Sequence, residues 1–428
     1  MRRLFPPVHY FIKLVKVLFV FGTRPEAIKM APIIRAARKA PDLDVRICAT
    51  GQHRGMLDQV LQFFCICPDH DLSVMQHNQD LASLTAKILE GLRPVLLAER
   101  PDLVIVQGDT VSALAASMAA FFERFRVAHV EAGLRTHDVR SPFPEEAIRQ
   151  MISRMAGLHF AATESNRQAL LAEGVPNRAV FVTGNPVVDS VLWTRARVRG
   201  ARVNPLSEVL SRTALQQLER ASHVILVTAH RRENFGAGLR EICAAVANVA
   251  NHRSDAAIVF PVHPNPNVRN QVHSALDALD NVFLTAPLEY PAFVSLMDKC
   301  SLIISDSGGI QEEATALGKP LVLTRTTTER MEAVDCGAVR LAGADRDNIV
   351  RNVHALLNAA ESGCLPQPLV CPFGDGSAAD EIVAIIRRQA AYDARPAISL
   401  QALAAALGPS VVPQPEPETQ AVSLSPLV

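Results

Sequence analysis

Short runs of Val, Ile, Leu and Phe alternate along this chain with segments of helix length, and that alternation restricts the fold more than any other feature. In the first half the runs are Val15 to Phe21, Val45 to Ala49, Leu103 to Val106, Val127 to Val130, His159 to Ala162 and Ala179 to Val182. Runs this short that are apolar at every position suit strands covered on both faces, the condition of a parallel sheet between two helical layers. The pattern lapses over the polar stretch Arg195 to Glu208. It then restarts at Val224 to Thr228, Ala257 to Phe260, Val282 to Leu284, Leu302 to Ser305, Pro320 to Leu323 and Val339 to Leu341. A chain of 428 residues is long enough for two cores. The expectation is an α/β protein of two doubly wound, Rossmann-like domains facing a central cleft.

Open α/β sheets bind ligands beyond the carboxyl ends of their strands. The polar clusters fall there: "GTRPE" after the first run, then "QGDT", "HVEAGLR", "TGNP", "TAHRREN", "PVHPNPN" and "SDSGGIQEE". Turn chemistry alone does not call for Gly, Thr, Arg, Pro and Glu together. Arg24 is read as a forked phosphate donor, with Gly22 allowing close approach of the main chain.

In "SDSGGIQEE", Ser307 with the bare amides of Gly308 and Gly309 offers a phosphate site at a helix N-terminus. The competing reading is a capping box. Glu313 is placed to receive ribose hydroxyls, and Arg24, His230 and Arg330 supply positive charge to a diphosphate. The first half contributes carboxylates instead. Asp109 reads either as a site residue or as an N-cap. Glu131, ending an apolar strand, needs a partner to offset its burial, with Arg135 the nearest candidate. Glu145 opens a helix, where the dipole alone accounts for it. Lys29 is either functional or part of a solvated helix face.

Other classes are excluded. Lys plus Arg and Asp plus Glu balance at 43 each, with no basic block, so neither nucleic acid nor a membrane surface is an expected partner. The eight cysteines lack framework spacing, which points to a reducing compartment. "CICPDHD" (Cys65, Cys67, Asp69, His70) has no second ligand pair, and no metal is assigned. "FGTRPEA" replaces the G-x-G-x-x-G fingerprint, which argues against a nicotinamide cofactor. Lys13 and Lys16 interrupt the N-terminal apolar run, which is needed as the first strand, so a signal peptide is not assigned. Residues 1–14 read as an extension, and the Pro-rich 395–428 as a disordered tail.

The stretches "VFGTRPEAIKMAP", "GQHRGMLDQVL", "GDT", "HVEAGLRT", "SPFPEEAIR", "TAHRRENFG", "VHPNPNVR", "DSGGIQEEA" and "TTERMEAV", in this order, resemble the non-hydrolysing bacterial UDP-N-acetylglucosamine 2-epimerases. The resemblance runs from about Lys16 to Arg388. It implies a glycosyltransferase-B fold with a first domain over 15–186, a UDP-binding domain over 187–373, and a helix at 374–394 that returns to the first domain. It also implies a cytoplasmic homodimer without cofactor or metal. The reaction it implies is conversion of UDP-N-acetylglucosamine to UDP-N-acetylmannosamine through elimination of UDP, a 2-acetamidoglucal intermediate and re-addition, feeding surface polysaccharide.

Carried over by resemblance, Asp109, Glu131, Glu145, Lys29 and His230 are catalytic. Arg24, His230, Ser307, Gly308, Gly309, Glu313 and Arg330 bind substrate. Gln52, Arg231, Arg232 and His263 match a site where a second substrate molecule activates some relatives. The chain departs from the family pattern at Gly55 and Asn78, which bear on that activating site, and at His137, Pro186 and Met331, in loops rather than at the carboxylates. Competing functions are a hydrolysing epimerase, a 2-epimerase of a related UDP-2-acetamido sugar, a glycosyltransferase of the same architecture and a nucleotide-sugar sensor without turnover.

Overall fold

The computed structural model describes residues 14–51, 54–75, 79–231, 234–364 and 371–393. The expectations for residues 1–13 and 395–428 lie outside them.

The first sheet consists of β1 (Val15–Phe21), β2 (Leu43–Ala49), β3 (His70–Asp71), β4 (Leu103–Gln107), β5 (Val127–Ala132), β6 (Leu158–Ala161) and β7 (Val180–Val182). Their order is β3-β2-β1-β4-β5-β6-β7, all parallel. The second comprises β8 (His223–Thr228), β9 (Ala256–Pro261), β10 (Val282–Thr285), β11 (Leu302–Ser305), β12 (Leu321–Leu323) and β13 (Val339–Leu341), ordered β10-β9-β8-β11-β12-β13. It too is parallel throughout. Each order reverses beside its first strand, between β1 and β4 and between β8 and β11, which is the topological switch point of a doubly wound sheet.

The apolar runs became strands because helices cover both of their faces. Val17 to Phe21 of β1 and Val104 to Val106 of β4 have no exposed surface. Two differences from expectation matter. The edge strand β3 was not foreseen, because two residues within "CPDHD" carry no periodicity. In it His70 Nε2 lies 2.8 Å from Glu99 Oε1, while Asp69 Oδ2 accepts from Ile47 N at 2.8 Å, so this imidazole and carboxylate join β3 to its neighbours. Strand β5 also runs past Val130 to Ala132, through a register irregularity at Glu131.

Helix Pro186–Arg199 packs against Arg24–Ala37 from the first half and against Tyr290–Lys299 and Gly308–Ala316 from the second. It begins at Asn185, whose Oδ1 accepts from Val187 N at 3.1 Å and whose Nδ2 donates to Glu312 at 2.8 Å. Helix Ala378–Asp393 starts where Asp189 Oδ1 accepts from Ala379 N at 2.9 Å.

Candidate active site

The site is built from the loops at the two switch points, after β1 and β4 in the first sheet and after β8 and β11 in the second, together with the end of β5 and the loops after β5 and β12. The loop after β1 is held by a carboxylate that the sequence reading passed over. Glu26, buried in the first turn of helix Arg24–Ala37, accepts from Gly22 N at 3.0 Å, Thr23 N at 2.7 Å and Thr110 Oγ1 at 2.7 Å. It therefore ties the Arg24 loop to the Asp109 loop. Burial raises its pKa against the pull of these donors. Gly22 is explained differently than expected: a Cβ there would collide with Thr50 Oγ1 and Ser112 Oγ, so packing beneath the loop requires glycine.

Glu131 is the centre of the constellation. Its backbone is left-handed, φ 61°, at the irregularity in β5, a conformation that costs free energy in a non-glycine residue and recurs at functional sites. Its partners are Lys29 Nζ and Gln107 Nε2 at Oε2, and Arg330 Nη2 at Oε1, 3.0 Å away. The expected partner, Arg135, is committed elsewhere: Nε and Nη2 donate to Glu173 at 2.7 and 3.0 Å. Lys29 is accordingly not part of a solvated face. Burial opposes its charge, but Glu131 and Glu312 outweigh burial and raise its pKa. For Glu131 burial pushes upward, and Lys29 and Arg330 outweigh it and lower its pKa. The two hold each other ionised.

Asp109 follows β4. The N-cap of helix Val111–Phe122 is Thr110, whose Oγ1 accepts from Ala113 N at 3.0 Å, so Asp109 is not spent on capping. Its Oδ2 accepts from Arg149 Nε at 2.8 Å and from Nη2 at 2.7 Å. Glu145 opens helix Glu145–Met155, as the dipole reading expects, and its Oε2 is buried with no hydrogen-bond partner among the described residues. Neighbouring Glu146 instead accepts from Thr136 N at 3.0 Å, Gln150 Nε2 at 3.0 Å and Arg149 Nη1 at 3.2 Å.

Across the cleft, helix Gly308–Ala316 begins after Ser307, whose side chain makes no capping bond, and Ile310 rather than an acid occupies its third position. The capping-box reading therefore fails, and the hydroxyl is not committed to the helix. A Cβ on Gly308 would lie 3.1 Å from Arg330 Nη1 and 3.6 Å from Arg231 Nη2, whereas one on Gly309 would meet nothing within 4 Å. Amides, dipole and two guanidiniums thus gather at one helix start, an arrangement suited to phosphate, with the Glu329 carboxylate 3.5 Å from the same point as the present partner of Arg330.

Asp306, fully buried, organises the loop after β8. Its Oδ2 accepts from His230 N and Arg231 N, each at 2.9 Å, and from Asn234 Nδ2 at 3.1 Å, while Oδ1 lies 3.1 Å from His230 Nδ1. Partial burial, and after it the neighbouring His230, lower the pKa of His263, with Asp306 pulling the other way. Gln52 and Arg232 lie outside the described residues.

Arg330 closes the circuit. Nε donates to Glu312 Oε1 at 2.7 Å, Nη1 to Glu329 Oε1 at 2.8 Å and Nη2 to Glu131. Glu313, next in sequence to Glu312, accepts from Tyr290 Oη at 2.9 Å, and burial raises its pKa to about 7. Burial lowers the Arg24 pKa, and Glu313 offsets part of that. Glu131 is pushed down and Glu313 up, so the two carboxylates of this cleft titrate in different ranges. Glu26, Gln107, Asp306 and Glu312 stand in the strand-end clusters of the sequence without an expected role, and Arg149 and Glu329 carry no signal there. For Asp306 a signal was present, a carboxylate directly after an apolar strand.

The family model described as UDP-N-acetylglucosamine 2-epimerase matches residues 35–387. The chain belongs to this family. The epimerase of Escherichia coli K12 is similar at 48% identity over 375 residues, which cover 87% of this chain and 98% of that one. Among solved epimerases, that of Neisseria meningitidis bound to UDP-GlcNAc aligns with a TM-score of 0.80 at 43% identity, covering 87% of this chain and all (100%) of the other. The Methanocaldococcus jannaschii epimerase in complex with UDP-GlcNAc and UDP aligns with a TM-score of 0.74 at 31% identity, covering 87% and 100%. The two-domain fold of this epimerase family chain is thus of the glycosyltransferase-B type, as the resemblance implies.

Proposed function

We propose that the chain interconverts UDP-N-acetylglucosamine and UDP-N-acetylmannosamine without hydrolysis. The observation that carries this reading is the meeting of Glu131 with Arg330 at 3.0 Å, because Arg330 also lies against the Gly308 helix start. A sugar with its diphosphate at that helix start would have its ring among Asp109, Glu131 and Glu145. The relatives' printed complexes with UDP-GlcNAc and UDP support the same ligand here.

In this account a carboxylate takes the C2 proton, the C1=C2 double bond forms, and the electrons of the C1–O bond leave with UDP. Arg24, Arg330, His230 and the amides of Gly308 and Gly309 stabilise the departing diphosphate, most effectively where water is excluded. UDP oxygen then re-adds to C1, and a protonated acid delivers a proton to C2 from the opposite face. Lys29 keeps Glu131 ionised until substrate enters. The activating second substrate site at Arg231 and His263, the homodimer, the cytoplasmic setting and the supply of surface polysaccharide belong to the same reading and rest on the resemblance.

The test is to incubate the purified chain with UDP-N-acetylglucosamine and resolve the products. UDP-N-acetylmannosamine without free sugar supports the proposal. Stoichiometric UDP and free N-acetylmannosamine indicate the hydrolysing branch, and binding without any turnover indicates a sensor.

A further inference from the structure

Arg149 has no part in the reaction as drawn above, yet it contacts the candidate carboxylate Asp109 directly and reaches another, Glu131, through Glu329 and Arg330. It is 5% exposed, on the helix Glu145–Met155. Two of its nitrogens, Nε at 2.8 Å and Nη2 at 2.7 Å, converge on the one oxygen Oδ2 of Asp109. Nη2 also faces Glu329 Oε1 of the second half at 3.9 Å. Glu329 in turn accepts from Arg330 Nη1 at 2.8 Å and Arg325 Nη1 at 3.1 Å, and Arg330 reaches Glu131. A continuous run of alternating charges, Asp109, Arg149, Glu329, Arg330 and Glu131, thus spans the cleft.

Compensation of buried Glu146 does not account for this arrangement. Glu146 has its own donors in Thr136 and Gln150, and its contact with Arg149, at 3.2 Å, is longer than either contact to Asp109. Two donors of one planar guanidinium on the single oxygen Oδ2 hold that oxygen in place from two directions, which a single point charge does not. Burial opposes the charge of Arg149, but Asp109 and Glu329 outweigh it and raise its pKa, so the fork stays charged.

We propose that Arg149 is a positioning residue: it fixes the carboxylate of Asp109 for proton transfer at C2 and, through Glu329, links that orientation to the meeting of the two domains. The proposal rests on the epimerase reading. It does not require Arg149 to touch substrate.

The experiment compares kcat, KM and calorimetric UDP affinity for the full chain and for Arg149→Gln, Arg149→Lys and Glu329→Gln. Arg149→Gln is expected to lower kcat ~100-fold, the scale of misplaced acid/base catalysis, with KM and UDP affinity within about threefold. Arg149→Lys restores about tenfold of that loss, and Glu329→Gln lowers kcat about tenfold. Wild-type kcat in Arg149→Gln overturns the proposal, as does a parallel fall in kcat and UDP affinity, which marks a merely structural role. Should Arg149→Gln not fold, wild-type kcat in both Arg149→Lys and Glu329→Gln overturns it. A wild-type chain without epimerase turnover overturns the underlying reading as well, and the same assay tells the two failures apart.

Discussion

Arg330 Nη2, from the loop after β12, donates to Glu131 Oε1, at the end of β5, across 3.0 Å. This contact joins residues 199 positions apart and brings the acidic end of one sheet against the basic loop of the other. Both ends of the pair are nearly devoid of solvent, with side-chain exposures of 6% and 4%. The pair is therefore little screened, and each charge depends on the other.

Loss of the guanidinium should be costly. Arg330→Met would leave Glu131, Glu312 and Glu329 without their shared cation, and removing one partner of a buried ion pair costs about 3–5 kcal/mol. Denaturant unfolding checks this, and a loss below about 1 kcal/mol would show that the carboxylates find other partners or protonate cheaply.

The proton-transfer groups should be separable from the fold. Asp109→Asn and Glu131→Gln keep side-chain shape, and each is expected to lower turnover by at least ~100-fold with the chain still folded. Turnover assays with circular dichroism as the folding control decide it. Near-normal rates in both remove these residues from the mechanism.

Glu313 should give stability a pH dependence of known sign. Burial raises its pKa from 4.5 to about 7, so the native state holds this proton more tightly than the unfolded chain. The resulting stabilisation is complete below pH 4.5 and disappears as pH rises through about 7. Glu313→Gln abolishes that dependence, so the variant's Tm should gain on wild type over this interval. Parallel Tm curves would contradict the assignment.

Gly22 should be intolerant of a single methyl group for a packing reason. A Cβ there collides with Thr50 and Ser112, so Gly22→Ala is expected to cost about 1–3 kcal/mol even without ligand. Full stability of the variant, measured by denaturant unfolding, would instead return Gly22 to the role of admitting a diphosphate.

What the sequence could and could not disclose follows from how far each interaction reaches along the chain. Strands such as β1 and β8 were legible because double-sided burial writes itself as unbroken apolar runs. The loops after them were legible because strand ends are where open sheets bind ligands. The partner of Glu131 was not. Arg135 is four residues away in sequence, whereas Lys29 and Arg330 reach Glu131 only through the packing of two sheets and a left-handed backbone that breaks the alternation of β5. Arg149 and Glu329 were hidden for the same reason, since neither has chemistry of its own and both act on groups distant in sequence.

The central claim is that one cleft both removes and returns the C2 proton while holding UDP. It is tested most directly by incubating the chain with UDP-N-acetylglucosamine in deuterated water and following mass at C2. The account predicts a manno product carrying deuterium at C2, with label also entering recovered gluco substrate. Recovery of unlabelled starting sugar alone would contradict it.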